Sequence, residues 1–248
     1  MVLAMLKKTI LALALALCAV ASFSSQSFAG TIIKLGLGGD SAADFEDTGG
    51  LLGVLSTADD GNGSIGDQNT TVDFLGALES EAADILTAIA SFTLDGVTAD
   101  GSAIVIGGSV VFQSFLGGTL SLYDASNALL LSGTLDESSL AGTLGAPATA
   151  GVITTTFGQF TGGPLAQYLD PNSLSLSISL ADVNNGAGLS VTPPPPFPAP
   201  QFYLNGVLNA FQADATVIIA ADPIPEPATI ALLLMCATIG HFAARRKK

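Results

Sequence analysis

The sequence predicts an all-β body: a single antiparallel β-sandwich or jelly-roll-like domain over residues 30–222, with one short helix. Three observations carry this. Apolar and polar residues alternate with period two in several short runs, the mark of a strand with one face in a core and one in water. Gly, Asn, Asp and Ser bound those runs. The stretch between the two ends, about 195 residues from Gly30 to Ile224, suits one all-β domain better than two small ones.

Along the chain, residues 31–35 (Thr-Ile-Ile-Lys-Leu) read as the first strand. Residues 40–69 are rich in Asp, Gly and Ser and read as a loop. Leu75, Leu78, Ala82, Ile85, Leu86 and Ile89 then fall near helical spacing, so a short helix is expected over about 75–86. Residues 91–94 form the next strand. Residues 103–106 and 109–112 flank Gly107-Gly108, a hairpin or a bulge. Residues 119–123 and 128–132 flank Asp124-Ala-Ser-Asn127, a hairpin. Residues 152–157 are rich in β-branched side chains and read as a strand. Residues 174–180 run Leu-Ser-Leu-Ser-Ile-Ser-Leu, alternating almost without fault. Residues 215–219 are the last strand. Residues 193–200 hold six prolines and read as a stiff polyproline II crossover, because strand-like sequence resumes at Phe202.

Between Gly30 and Ile224 stands one cation, Lys34, against 20 carboxylates, a difference of 1 − 20 = −19. That stretch has no His, Cys, Trp or Arg. Disulfides are therefore ruled out there, even in an oxidising compartment. So are zinc sites built on His or thiolate, and Ser-His-Asp and Cys-His nucleophiles. Phosphoryl transfer lacks an Arg to stabilise charge. Nucleic acid is not an expected partner, since affinity for phosphate backbones comes mainly from Lys and Arg.

Oxygen chemistry stays open. In Asp59-Asp-Gly-Asn-Gly-Ser-Ile-Gly-Asp67, residues Asp60, Asn62 and Ser64 alternate as the first ligands of an EF-type calcium loop do. The sixth position is Ile65 rather than Gly, and the twelfth is Thr71 rather than Glu. A looser Ca²⁺ site on Asp59, Asp60, Asn62 and Asp67 is one reading; a solvated turn is the other. No other cofactor is expected. A two-carboxylate glycosidase is the enzyme class that composition leaves fully open. Scarce aromatic faces and hydrogen-bond donors argue against it, and no enzyme activity is expected.

Both ends carry targeting chemistry. Lys7 and Lys8, an apolar run over 9–21 and the small residues Ser27 and Ala29 make residues 1–29 a secretory signal peptide. Signal peptidase would cut between Ala29 and Gly30. At the other end, residues 223–248 hold three elements in order: Pro225-Glu226-Pro227, an apolar run over 228–244, and Arg245-Arg246-Lys247-Lys248. Seventeen mostly apolar residues are at the short end of a transmembrane helix. Proline suits the first turn of that helix, and Glu226 suits its positive end. The four cations are expected to stay in the cytoplasm, with the body outside. His241 interrupts the apolar run close to that end.

This tail resembles the PEP-CTERM protein-sorting signal of exported proteins in many Gram-negative bacteria. The resemblance covers about a tenth of the chain. It implies recognition of Pro225, Glu226 and Pro227 by exosortase, a membrane-embedded cysteine protease-like enzyme that removes the tail. It also implies a transient stay in the inner membrane, then a surface or extracellular location near exopolysaccharide. The expected function is an exported, non-catalytic surface or extracellular-matrix protein, associated with exopolysaccharide and biofilm. The alternative is a carbohydrate-binding or adhesin module, Ca²⁺-dependent in one version, with Phe197, Phe202 and Tyr203 as its candidate aromatic cluster.

Overall fold

Strand pairing carries the sequence pattern into three dimensions in the computed structural model, which describes residues 30–37, 42–58, 67–75, 78–79, 89–145, 151–192 and 203–222. The strands in order are β1 (Gly30–Gly36), β2 (Phe45–Asp47), β3 (Val54–Thr57), β4 (Asp67–Phe74) and β5 (Ile89–Asp95). Then come β6 (Val97–Ala99), β7 (Ala103–Ile106), β8 (Val110–Leu116), β9 (Thr119–Asp124) and β10 (Leu129–Thr143). The last are β11 (Gly151–Gly162), β12 (Ser175–Ala181), β13 (Val191–Thr192), β14 (Tyr203–Leu208) and β15 (Phe211–Ala221). A short 3₁₀ helix, Pro164–Tyr168, follows β11 with proline in its first turn.

Eight strands close into a ring, β1-β4-β5-β9-β10-β11-β12-β15, with β15 returning to β1. Every pair in it is antiparallel. A second path, β2-β3-β6-β8, bridges β15 to β10. β7, β14 and β13 extend from β8. The expectation of an antiparallel all-β body holds in this coarse form. The pairing differs from a sandwich of two discrete sheets, because the first and last strands join. Closure removes the exposed edges of the eight-stranded ring, while the extension still ends at β13.

Inward-facing residues fill the interior. Phe45, Phe92 and Phe115 are fully buried, and the first two rings lie 6.5 Å apart at 50°. In β12 the alternation is carried through: Leu176, Ile178 and Leu180 face inward. In β10 the alternation slips twice, at Leu130–Leu131 and at Asp136–Glu137. The second slip lies where β10 passes from β9 to β8, and ladder irregularities mark the same place. A bulge re-aims a strand in this way. The body, Ala29–Asp222, forms one unit.

Other expectations meet corrections. Gly107-Gly108 is a hairpin turn, not a bulge: both glycines have positive φ, 59° and 72°, as a type I′ turn requires. The turn at Asp124 also stands, closed by Asp124 N–H to the Ala128 carbonyl at 2.9 Å. Residues 40–69 are not all loop, since β2 and β3 lie within them and β4 begins at Asp67. The helix expected over 75–86 is seen only at 78–79; Leu75 instead extends the strand, its N–H donating to the Ile32 carbonyl at 2.9 Å. The rest of that segment lies outside the described residues, as do residues 193–200. Among the described residues no helix is long and apolar enough to cross a membrane. The spans expected at 1–29 and 228–244 are outside them too.

Candidate functional site

The C-terminal end of the body is built by three segments. β15 ends at Ala221, which pairs with Gly30 at the start of β1. Asp222 follows. Its N–H donates to Ser173 Oγ at 2.9 Å, and its carbonyl accepts the Asp170 N–H at 2.9 Å. Ser173 Oγ in turn donates to the Asp170 carbonyl at 2.9 Å. Asp170 closes its own turn, Oδ1 accepting from the Asn172 N–H at 2.9 Å. This is what Asp-Pro-Asn is suited to do. Leu169 and Leu174 are buried on either side of the turn and hold it against the barrel. Asp222 Oδ1 is buried there without a hydrogen-bond partner.

Of the residues expected to matter for processing, Gly30 opens β1. Ala29, Pro225, Glu226, Pro227, Arg245, Arg246, Lys247 and Lys248 lie outside the described residues. Pro225 is three residues beyond Asp222.

The calcium candidates are not gathered in the described part of the fold. Asp59, Asp60 and Asn62 lie outside it. Asp67 opens β4, opposite Phe92. Among the described residues no three His, Cys, Asp or Glu side chains group where they could hold a metal. Of the aromatic candidates, Phe197 and Phe202 are also outside, and Tyr203 opens β14 opposite Ile106.

A second polar place is a shallow cleft of about 370 Å³, lined by Glu46, Asp47, Thr48, Asn184, Phe211 and Gln212, with Ala210 beside them. Asn184 is committed to structure. Its Oδ1 accepts from the Gln212 N–H at 3.1 Å and its Nδ2 donates to the Gly188 carbonyl at 3.0 Å. Asp47 is buried. Its Oδ1 accepts from the Gly49 N–H at 2.7 Å, and its Oδ2 has no partner. Burial pushes its carboxyl above the ordinary 3.8, and the Gly49 hydrogen bond draws it partly back. Glu46 and Asp47 are successive residues of one strand and face opposite sides of it. They do not converge as a catalytic pair.

Asp170, Ser173 and Asp222 are what the sequence reading missed. The turn chemistry of Asp170-Pro171-Asn172 was a readable signal. Its meeting with Asp222 was not, because that contact spans 49 residues.

With this geometry in place, comparison with known proteins adds one finding. Residues 223–247 match the PEP-CTERM protein-sorting motif. That motif implies export, processing by an exosortase and sorting to the cell surface in bacteria. No curated protein matches the chain, and no solved structure matches it.

Proposed function

We propose, from the sorting motif at 223–247, that this chain is an exported, non-catalytic surface or extracellular-matrix protein associated with exopolysaccharide. Its leader is removed before Gly30 and its tail at Pro225-Glu226-Pro227, after a transient stay in the inner membrane of a Gram-negative cell. The observation that carries the reading is the motif match itself. The body supports it. It has no His, Cys or Arg with which to build a nucleophile or an anion clamp. The closed ring also supports it. With Gly30 paired to Ala221, both ends of the body leave from one rung, as suits a domain held to a membrane at both termini before processing.

The test is intact-mass spectrometry of the protein recovered from its native cells, fraction by fraction. A mass running from Gly30 to within 223–227, found in the surface or medium fraction, supports the proposal. A mass retaining Arg245 to Lys248 in the inner-membrane fraction identifies a permanent anchor and refutes it. Association with exopolysaccharide is checked separately, by co-sedimentation of the processed protein with the polysaccharide of the same cells.

A further inference from the structure

We propose that Asp222 is the receptor for the α-ammonium group created when the leader is removed before Gly30, so that maturation adds an ion pair closing the β1–β15 rung. The inference rests on the leader reading above. Three independent features of the body place the groups together.

The first is register. Gly30 and Ala221 are opposed in the antiparallel ladder. Opposed Cα atoms lie about 5 Å apart, and Asp222 is the next residue, about 3.8 Å further on. A new amine on Gly30 therefore appears within side-chain reach of Asp222.

The second is an unfilled valence. Asp222 Oδ1 is buried and accepts no hydrogen bond. The neighbouring Asp170 carboxylate is differently placed, because its Oδ1 already accepts from Asn172. Meanwhile the Asp222 backbone is fastened at both its N–H and its carbonyl by the 170–173 turn. The base of the side chain is thus fixed before any cation arrives, so little ordering entropy remains to be lost.

The third is the shortage of competing cations. Lys34 is the single Lys or Arg between residues 30 and 224. It stands four residues along β1 from Gly30, about 13 Å away, opposite Asp73 of β4. The charged residues nearest the closing pair in the fold are Asp222, which follows β15, and Asp170 of the turn bonded to it, both acidic.

The chemistry balances simply. Hydrolysis of the Ala29–Gly30 peptide bond leaves a carboxylate on the leader and an amine on the body. The amine takes a proton from water and becomes the donor that Oδ1 lacks.

The experiment uses the processed protein purified from its native cells. Its N-terminus is sequenced, and the α-amine is titrated by pH-dependent labelling with an amine-selective reagent. The expected result is a chain beginning at Gly30 whose amine titrates above the ordinary range of about 7.7–8.0. Asp222→Asn should return it to that range. A chain beginning at Gly30 with an ordinary titration overturns the ion pair and leaves the leader reading intact. A mature chain beginning elsewhere overturns both. Should Asp222→Asn not accumulate, the wild-type titration decides alone.

Discussion

On the side of β15 away from β12 the Ala215 N–H has no strand opposite it, because β15 passes there from β2 to β1. Asp44 Oδ2 accepts that N–H at 2.6 Å, while the Asp44 N–H and carbonyl join Ala213 and Ala58. One side chain so replaces a missing strand. Asp44→Ala should leave the Ala215 N–H buried and unsatisfied, at a cost of about 1–3 kcal/mol. Asp44→Asn keeps an acceptor and should cost less. Denaturant midpoints of the two variants check the order, and equal losses would count against it. Asp47 is the opposite case, a carboxylate whose second oxygen is unmet. Its folded value is raised above 3.8, chiefly by desolvation. The protonated form is thus favoured in the folded state. Its contribution to stability is fully present below about pH 3.8 and is lost as pH rises through the folded value. Asp47→Asn keeps the acceptor for Gly49 and never ionises. Relative to wild type, the variant should therefore gain stability as pH rises through the mildly acidic range. Urea unfolding at stepped pH reads this directly, and parallel profiles for the two proteins would refute it.

The same device recurs between elements. β4 begins at Asp67, opposite Phe92, so Leu94 of β5 lies beyond its reach. The buried Thr57 hydroxyl of β3 fills the gap, accepting the Leu94 N–H at 3.2 Å and donating to the Leu94 carbonyl at 3.3 Å. At the end of the β11–β12 ladder, Thr155 Oγ1 accepts the Leu176 N–H at 2.8 Å. Thr57→Val matches the hydroxyl in shape and should still cost about 1–3 kcal/mol, because two buried backbone groups lose their partner. Hydrogen exchange at Leu94 should quicken more than at Phe92, which β4 protects; equal change would show global rather than local loosening. These splices explain what the sequence could and could not say. Residues 174–180 and the Gly107-Gly108 hairpin were legible because their signals are local: a clean period of two, and a turn only glycine readily makes. β2 and β3 were not, since three or four residues among Asp, Gly and Ser give no periodicity. The closing pair Gly30–Ala221 joins opposite ends of the body, and alternation names a face, never a partner. The C-terminal end divided in the same way: the tail was legible as a motif, and the bond from Asp222, the last residue of the body, to Ser173 was not.

At the scale of the whole body, closure and charge act together. A ring with few free edges limits strand-to-strand association, and the repulsion among 20 carboxylates against Lys34 opposes it. The same charge works against the fold by self-repulsion. Repulsion among exposed carboxylates reaches about 30 Å at 0.01 M ionic strength and about 10 Å at 0.1 M. The processed protein should therefore melt at a higher temperature as NaCl is raised over that range, and KCl should act equally, because screening does not distinguish the ions. A melting temperature that is flat or falls with salt would mean that the carboxylates are already neutralised pairwise. Calcium separates screening from a site. At matched ionic strength, diffuse screening leaves only a small difference between CaCl₂ and NaCl. Ligation by Asp59, Asp60, Asn62 and Asp67 would instead raise the melting temperature further, with saturation near the dissociation constant. Asp60→Asn should then remove the extra rise and leave the NaCl response unchanged, which assigns the ion to that segment rather than to the acidic surface as a whole.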